Sequence, residues 1–446
     1  MKNPLSDLAS RRLNRRCNAL IVTSVALLMV FSLFYFGRSL RHLVIINCDV
    51  TQLLSRCGIA CFVLGVLYFG WVVWLAARRY REFEAPADTD LPAVSVIIPA
   101  YNEGERVLAA IDSVLASDYP AGKLEVIAVN DGSSDDTWTW IEQAARRYGN
   151  RLRTINLRRN RGKRGAMHAG FTAASGAIWI TVDSDSMVFA DTLRRLVAPF
   201  REPGVGCVAG NVQVWNNRGV LPRVLDVNFV FSFDLMRSAQ SASGVVFCAP
   251  GALTACRAEV IRPRLDAWAH QTFLGRPANI GEDRALTNIV LAAGSKVTFQ
   301  QNALVLTRVP ENYFDFSKML IRWARSNVRE NIEMLRFAFA LRRPSAYSRA
   351  ALLLHLGMQL IWMLTPVIGV FLFLYCMIAT LGSFLLSLLP VLVLAAFFPM
   401  LVYRRYRSGD QLLGVLGYAL LGFIAMFWVA PYSLFSFHRS GWLTRG

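Results

Sequence analysis

Apolar and polar residues alternate in two kinds of block along the middle of the chain. Short apolar runs, such as VSVIIPA at 94–100 and AIWITVD at 177–183, predict buried strands, because a strand covered on both faces is apolar along its whole length. Segments with apolar residues at helical spacing follow, such as GERVLAAIDSVLAS at 104–117 and SSDDTWTWIEQAARRYG at 133–149, the latter with a capping-box-like start. This alternation predicts an α/β domain with a doubly wound, mostly parallel sheet.

Polar clusters follow three of the predicted strands at the point where each strand ends. AYNEGE follows the strand at 94–100, NDGSSDDT follows the strand LEVIAVND at 124–131, and DSDS follows the strand at 177–183. In doubly wound sheets, ligands bind beyond the carboxyl ends of the strands. The sequence therefore predicts a binding site at this edge of the sheet.

Long uncharged stretches flank this domain on both sides. They lie at 19–37, 58–77, 350–403 and 411–437, and the third is long enough for two crossings, which makes five candidate membrane spans. A cleaved signal peptide is a poor explanation of the first, because a second apolar stretch follows without a small-residue cleavage site. We therefore expect transmembrane helices before and after the α/β domain.

Basic residues indicate the orientation of these helices. Because positive charge concentrates on the cytosolic side of a membrane, we expect the N-terminus, the α/β domain and the loop near 404–407 to face the cytosol. An odd number of spans would leave the C-terminus outside, so either the tail is external or one segment is re-entrant. The residues that carry this signal are Lys2, Arg11, Arg12, Arg15, Arg16, Arg78, Arg79, Arg81, Arg404, Arg405 and Arg407.

Composition agrees with a membrane protein and argues against other classes. Of the 446 residues, 54% are hydrophobic and 17% are charged, and the formal net charge is +18. Much of that charge lies beside the spans, where attraction to anionic lipid explains it, so we predict a lipid bilayer and no nucleic acid as a partner. The eight cysteines form no C-x-x-C pair, which indicates a reducing compartment and no zinc site.

We divide the chain into four regions on this basis. Residues 1–81 hold a cytosolic N-terminal segment and two transmembrane helices, and 82–310 form the α/β domain. Residues 311–348 carry apolar and arginine residues at helical spacing, which predicts amphipathic helices at the membrane interface. Residues 349–446 hold the C-terminal transmembrane helices and a short tail.

Aspartates at the strand ends are the first candidate site residues. Asp183 and Asp185 supply hard oxygen ligands of the kind that Mg²⁺ or Mn²⁺ uses when it holds a diphosphate, although a solvated turn would also explain them. Asp131 ends the second strand, where its carboxylate could accept hydrogen bonds from a base or ribose, and a simple turn is the alternative.

Charged residues at predicted helix starts are the second group. Lys163 and Arg164 could hold phosphate, or form a solvated basic turn. Asp283, with Glu282 before it, could act as a general base, or the pair could simply complement the helix dipole. Further along, Arg322 and Trp323 could bind a diphosphate and stack on a sugar, or lie at the membrane surface; His168 and His355 are more simply structural.

Taken in order, AYNEG, VNDGSSDDT, DSD, GED and RW resemble the motifs of processive family 2 glycosyltransferases with a GT-A fold. That family includes hyaluronan synthases, the rhizobial chitin-oligosaccharide synthase, poly-N-acetylglucosamine synthase and cellulose synthase. The resemblance covers about residues 92–330. GKR at 162–164, GEDRALTN at 281–288 and RWARSNVRE at 322–330 are most similar to the hyaluronan and chitin-oligosaccharide branch.

The resemblance implies a role for each matching residue. Asp131 would bind uridine, Asp183 and Asp185 would bind the diphosphate through Mg²⁺ or Mn²⁺, and Asp283 would be the base. Arg322 would hold the diphosphate and Trp323 the acceptor sugar, but the family pattern Q-x-x-R-W has glutamine where this chain has Met319. The remaining residues carried over are Tyr101, Glu103, Lys163 and Arg164 at the substrate, and Glu282 beside the base.

The function expected from this resemblance is that of a membrane-embedded processive glycosyltransferase. It would polymerise sugars from UDP-sugar donors, with UDP-N-acetylglucosamine as a donor with or without UDP-glucuronate, by inverting β-transfer to a growing glycan. Its GT-A domain would be cytosolic, inserted between transmembrane helices of the plasma (inner) membrane, and the polysaccharide would leave the cell, with or without accessory secretion proteins.

Three alternatives stay open at this point. A non-processive glycosyltransferase could charge a lipid phosphate, and a synthase of another branch could polymerise a different UDP-hexose. A transporter or receptor with a nucleotide-sensing domain would bind UDP without transfer.

Overall fold

The protein is built around an eight-stranded sheet whose strands lie in the order β3 (Leu152–Asn156), β2 (Leu124–Asn130), β1 (Val94–Ala100), β4 (Ile178–Val182), β7 (Leu253–Arg257), β6 (Val205–Val214), β10 (Lys296–Thr307) and β5 (Ser186–Val188). The structure, a computed structural model, describes residues 49–339, 346–379, 399–407 and 412–439. Four of the seven strand pairings are parallel, namely β2–β3, β1–β2, β1–β4 and β6–β10. The pairings β4–β7, β6–β7 and β5–β10 are antiparallel. The predicted α/β fold with a mostly parallel sheet is confirmed.

The strands and α-helices of the described residues are numbered here in chain order. The strands are β1 Val94–Ala100, β2 Leu124–Asn130, β3 Leu152–Asn156, β4 Ile178–Val182, β5 Ser186–Val188, β6 Val205–Val214, β7 Leu253–Arg257, β8 Thr272–Phe273, β9 Arg276–Pro277 and β10 Lys296–Thr307. The helices are α1 Asp49–Trp74, α2 Arg106–Leu115, α3 Thr137–Tyr148, α4 Gly162–Ala173, α5 Thr192–Val197, α6 Val220–Phe229, α7 Ser238–Ser241, α8 Ala258–Ile261, α9 Leu265–Ala269, α10 Glu282–Ala292, α11 Tyr313–Ala338, α12 Ala346–Ala379, α13 Leu412–Leu420 and α14 Val429–Ser436. Residues 399–406 are also helical.

The centre of the sheet is dry because helices cover both of its faces. Every residue of β1 is buried, as its continuous apolar sequence predicts. The ring of Trp179 in β4 stacks on Phe171 of α4 at 5.0 Å between centroids. A core packed in this way holds the strand ends, and the side chains that follow them, in fixed positions.

Helix α3 begins at Thr137, four residues later than predicted from the capping-box-like sequence at Ser133. The polar side chains before it bond to the neighbouring loop instead of capping the helix. The amide of Asn102 donates to Ser133 Oγ at 3.0 Å, and the amide of Gly104 donates to Asp135 Oδ2 at 3.1 Å. These bonds join the loops after β1 and β2, which shapes the functional edge of the sheet.

The segment that follows α1 is bonded to an irregular part of β10. Tyr80 Oη donates to the carbonyl of Phe299 at 3.2 Å and accepts from the amide of Gln301 at 2.9 Å. The side chain of Gln300 bonds both the amide and the carbonyl of Phe83, at 3.2 and 2.7 Å. Because the pairing of β10 with β6 shifts register in this stretch, its polar groups are available to the linker.

Among the described residues, one helix is long and apolar enough to cross a membrane, over Ser348–Val367 within α12. The predicted span at 58–77 falls on α1 and the helical turn after it. The predicted span at 19–37, and residues 380–398 of the 350–403 stretch, lie outside the described residues. The described residues therefore hold one candidate membrane helix, within the stretch predicted at 350–403.

The candidate span predicted at 411–437 is not a single helix in the part of it that the structure describes. The helices α13 and α14 are separated by a wide helical turn at Leu421–Ala425 and a break before Val429. Pro431 lacks the amide hydrogen that a continuous helix would bond to the carbonyl of Phe427, so the helix restarts instead.

Candidate functional site

A cavity of about 2120 Å³ opens at the carboxyl ends of the sheet strands. That volume exceeds the roughly 300–1,000 Å³ of ordinary small-molecule pockets. Most of the residues predicted from the sequence lie on its wall. They are Tyr101, Asp131, Lys163, Asp183, Asp185, Glu282, Asp283, Arg322 and Trp323.

Asp131 follows β2 and is held by the loop that precedes α4. Its Oδ1 accepts from the amide of Arg161 at 2.8 Å, and the side chain is 2% exposed. Burial raises the pKa of this carboxyl to about 6, against the opposing effect of the amide hydrogens of Arg161 and Gly162. Asp131 is therefore ionised at neutral pH and becomes protonated in mildly acidic solution.

Asp183 and Asp185 are separated by Ser184 at the turn between β4 and β5. The amide of Ser186 donates to the carbonyl of Asp183 at 3.0 Å, which fixes the turn. Both aspartates are half-buried on the cavity wall, so their carboxylates can be reached by a ligand.

The donor set at this turn fits a hard divalent cation that completes its shell from a substrate. No group of three or more His, Cys, Asp or Glu side chains that could hold a metal occurs within the described ranges. Two carboxylates are nevertheless sufficient for Mg²⁺ or Mn²⁺ when phosphate oxygens and water supply the other ligands. Asp183 and Asp185 are the residues that would hold such an ion.

Lys163, in the first turn of α4, forms ion pairs with two carboxylates of the cavity. Its ammonium is 2.5 Å from Asp183 Oδ1 and 3.3 Å from Glu282 Oε1. Burial alone would lower the pKa of Lys163, but the adjacent carboxylates outweigh it and raise that pKa above its usual range. Gly251 packs against this ammonium so closely that a Cβ there would lie 2.6 Å from Nζ. Lys163 therefore remains a cation between the two sides of the cavity.

Asp283 lies in the first turn of α10. Its Oδ1 accepts from the amide of Arg284 at 2.7 Å, and its Oδ2 is 3.7 Å from Cys248 Sγ. Burial raises the pKa of the Asp283 carboxyl, and the nearby charge of Glu282 raises it further. A carboxylate with a raised pKa that faces a cavity is suited to accept a proton.

Arg164 and Glu103 do not line the cavity, although both were predicted at the substrate. Arg164 turns away from it, since its Nη1 donates to the carbonyl of Trp268 at 2.6 Å and to Gln271 Oε1 at 2.8 Å. These bonds hold the guanidinium against neutral protein groups away from the cavity, which indicates a supporting role. Glu103 accepts from Ser184 Oγ at 3.2 Å and so supports the turn that carries the two aspartates.

Helix α11 contributes a further part of the cavity wall. Arg322 and Trp323 lie on the wall, and the ring of Trp323 is 6.3 Å from that of Phe229. Met319 is buried and also lines the cavity, one helical turn before them. The thioether of Met319 therefore lies on the cavity wall at the position where the pattern Q-x-x-R-W has the side-chain amide of glutamine.

The cavity is also lined by aromatic residues that were not predicted from the sequence. They are Phe69 of α1, Trp362 of α12, Tyr418 of α13 and Phe427 beside α14. An aromatic residue within an apolar stretch carries no local sign that it lines a cavity. Arg237 was missed for a similar reason, because its position depends on contacts with Phe233 and with the carbonyl of Cys248.

Comparison with known proteins gives consistent results. Residues 95–262 match Glycosyl transferase family 2. An N-acetylglucosaminyltransferase of Rhizobium sp. (strain N33) is 31% identical over 419 residues, which cover 89% of this chain and 88% of that protein. A hyaluronan synthase of Streptococcus pyogenes is 36% identical over 245 residues, which cover 54% of this chain and 58% of that protein.

A solved structure with the same fold is a mannosyltransferase from Pyrobaculum calidifontis in complex with GDP-Man and Mn²⁺. It superposes with a TM-score of 0.58 at 21% sequence identity and covers 81% of this chain and 97% of its own. At that identity the likeness supports the α/β fold alone.

Proposed function

The chain is a family 2 glycosyltransferase, close to the N-acetylglucosaminyltransferases and hyaluronan synthases, and from that membership we propose that it polymerises sugars from UDP-sugar donors. The donor would be UDP-N-acetylglucosamine, with or without UDP-glucuronate. The product would be a polysaccharide that leaves through the membrane region. The catalytic domain would lie in the cytosol at the inner membrane, between several transmembrane helices.

One observation carries this proposal, namely the continuity of the cavity. The same cavity is lined by the carboxylates at the sheet edge, by Trp323 of α11 and by Trp362 of α12, the helix that contains the candidate membrane span. A transferase that releases a small product needs only the part of the cavity that contains the carboxylates at the sheet edge. A cavity that extends from the carboxylates to α12 supports a growing chain that moves away from the site of synthesis.

The donor would lie across the strand ends. We infer that Asp131 accepts hydrogen bonds from the uridine and that Tyr101 borders the same part of the cavity. Asp183 and Asp185 would hold Mg²⁺ or Mn²⁺, which when bound offsets the negative charge of the diphosphate. Lys163 lies beside Asp183 and brings a permanent cation to the same group.

Asp283 would act as the general base. Its carboxylate takes the proton from the acceptor hydroxyl as that oxygen bonds to the anomeric carbon of the donor, and the bond from this carbon to UDP breaks. UDP leaves with the bonding electrons, and the configuration at the anomeric carbon inverts. Trp323 would position the acceptor sugar and Arg322 the leaving diphosphate.

The first test of this proposal is release of the nucleoside diphosphate, UDP or GDP, by the purified full-length protein in lipid nanodiscs. UDP-N-acetylglucosamine, UDP-glucuronate, UDP-glucose and GDP-mannose are each supplied with Mn²⁺ or Mg²⁺, and the products are sized. We expect UDP release and a polymer from UDP-N-acetylglucosamine, alone or with UDP-glucuronate. Transfer of a single sugar to a lipid phosphate would contradict the polymerase and support the non-processive alternative. Binding of UDP with no turnover of any donor would exclude an enzyme of this class.

Acidification is expected to weaken UDP binding through Asp131. The pKa of this carboxyl is about 6, so Asp131 is protonated in about nine-tenths of the molecules at pH 5. In the protonated carboxyl, the oxygen that carries the proton no longer serves as a hydrogen-bond acceptor as it does in the carboxylate. We expect the Kd for UDP to rise about tenfold between pH 7.5 and pH 5 in calorimetric titrations.

The phosphates of UDP also titrate in this range, so Asp131→Asn is the control. Its amide cannot be ionised, and its Kd should change with pH only as far as the phosphates dictate. If wild type and Asp131→Asn show the same dependence on pH, Asp131 does not contact the nucleotide in its ionised form.

A further inference from the structure

Lys163 lies between a candidate metal ligand and the helix that carries the candidate base. Its ammonium is 2.5 Å from Asp183 Oδ1 and 3.3 Å from Glu282 Oε1. The side chains of Lys163, Asp183 and Glu282 are 19%, 26% and 7% exposed, so water screens these ion pairs only in part. The carboxylate of Asp183 therefore attracts two cations, this ammonium and the divalent ion that it would help to hold.

The wall around the ammonium is shaped to hold it beside Asp183. A Cβ at Gly251 would lie 2.6 Å from Lys163 Nζ but 3.7 Å from Asp183 Oδ1. The glycine thus leaves the space that the ammonium fills, whereas the carboxylate would be in ordinary contact with an added methyl group. The contact between Lys163 and Asp183 is part of a packed wall and differs in this from an exposed surface ion pair.

The start of α4 also connects Lys163 with the candidate uridine site. The amide of Arg161, two residues before Lys163, donates to Asp131 Oδ1 at 2.8 Å. Asp131, Lys163 and Asp183 all line the same cavity. A diphosphate that enters this cavity with its uridine would offer the ammonium negatively charged oxygens as new hydrogen-bond acceptors.

We propose that Lys163 exchanges partners when the nucleotide binds, and that this exchange makes binding of the divalent ion depend on the nucleotide. While the ammonium is bonded to Asp183, it competes with Mg²⁺ or Mn²⁺ for that carboxylate. The diphosphate draws the ammonium away and releases Asp183 to the ion, while Glu282 stays beside Lys163. This inference rests on the proposed binding of UDP at the strand ends.

An exchange of partners differs from a fixed positive charge in a measurable way. A fixed charge repels the ion equally with and without UDP, so it does not change the ratio of the two Kd values for Mn²⁺. An exchange weakens binding of Mn²⁺ only in the absence of UDP and therefore raises this ratio. Because coupling between two ligands is reciprocal, the same ratio describes the effect of Mn²⁺ on the Kd for UDP.

The test is binding of Mn²⁺ to the full-length protein in phosphatidylcholine nanodiscs, with the free ion measured by electron paramagnetic resonance. Each titration is made without UDP and with saturating UDP, and Mn²⁺ bound to UDP in solution is subtracted. For the wild type, we expect the Kd for Mn²⁺ to fall about a hundredfold when UDP is present.

Lys163→Met removes the ammonium and keeps an unbranched side chain that is close in length. Without UDP, its Kd for Mn²⁺ should be about tenfold lower than that of the wild type, because nothing competes for Asp183. With UDP, the Kd should be nearly that of the wild type, so UDP strengthens Mn²⁺ binding only about tenfold in this variant. The remaining coupling is the direct attraction between the ion and the phosphates.

Gly251→Ala tests the exchange without removing the charge. The backbone of Gly251 is not in the left-handed region, so alanine is tolerated there, and the added methyl group displaces the ammonium from Asp183. The effect of UDP on the Kd for Mn²⁺ should decrease as it does in Lys163→Met, whereas a fixed charge would leave it unchanged. This variant also provides the test if Lys163→Met does not fold.

Lys123→Met is the matched control for the loss of one positive charge. Lys123 Nζ donates to the carbonyls of Asp88 and Thr89 at 2.9 and 3.1 Å, and this lysine does not line the cavity. Its substitution should leave both Kd values for Mn²⁺ at those of the wild type.

The outcomes separate this inference from the proposed function, because no turnover is measured. A ratio of Kd values in Lys163→Met or Gly251→Ala that equals the wild-type ratio would overturn the exchange. The expected ratios in a protein that transfers no sugar would refute the polymerase and support the exchange. A wild type that binds no UDP would refute both.

Discussion

Asp283→Asn is expected to lower the rate of sugar transfer about a thousandfold while the Kd for UDP stays within about threefold of the wild-type value. The amide is isosteric with the carboxylate and can still accept from the amide of Arg284, so α10 should begin in the same way. What it cannot do is accept a proton from the acceptor hydroxyl. Single-turnover transfer and calorimetric UDP binding, measured on one preparation, separate the two effects.

The matched control for this variant is Asp266→Asn. Asp266 is an aspartate in the neighbouring helix α9, with a side chain that is 89% exposed and 2.8 Å from His168 Nε2. Its substitution changes the net charge by the same amount away from the cavity and should leave transfer unchanged. Transfer by Asp283→Asn at more than about a tenth of the wild-type rate would exclude this residue as the base.

Asp185→Asn is expected to abolish the dependence of donor binding on a divalent cation and to lower kcat/KM about a thousandfold. The substitution removes one of the two carboxylates that would hold the ion, and an amide oxygen is a much weaker ligand for Mg²⁺ or Mn²⁺. The direct measurement is the Kd for UDP with and without Mn²⁺. The wild type should bind UDP more tightly with Mn²⁺, and the variant should bind it equally in both conditions.

Asp183→Asn is the informative companion to this variant. It should lose the effect of Mn²⁺ as well, but it also removes the carboxylate that lies 2.5 Å from Lys163, so its UDP affinity without metal should change too. Unaltered enhancement of UDP binding by Mn²⁺ in Asp185→Asn would mean that the ion is held elsewhere.

Features that depend on local pattern were predictable from the sequence. Continuous apolar runs identified β1 and β4, and the polar clusters behind them identified the edge where the cavity lies. The reason is geometric. Parallel strands end on the same side of a sheet, so Asp131 and Asp183 can be expected close together without information about long-range contacts.

Features that depend on distant contacts were not predictable. The direction of the Arg164 side chain is decided by Trp268 and Gln271, about a hundred residues away, so GKR predicted a phosphate contact that this side chain does not reach. The start of α3 was misplaced because Ser133 bonds to the loop at Asn102 instead of capping its own helix. The outcome of competition between local and non-local hydrogen bonds cannot be predicted from a short stretch of sequence.

The bonds between the linker and β10 limit how the molecule can move. Tyr80 and Gln300 tie the end of α1 to the edge of the sheet, so the α/β domain and this helix form a single mechanical unit. Under the proposed function, a polymerase tied in this way would not advance by swinging its catalytic domain about a flexible stalk. Each cycle would instead require the glycan to slide by one sugar through a stationary protein, and the distance between sugar addition and exit would stay constant at every chain length.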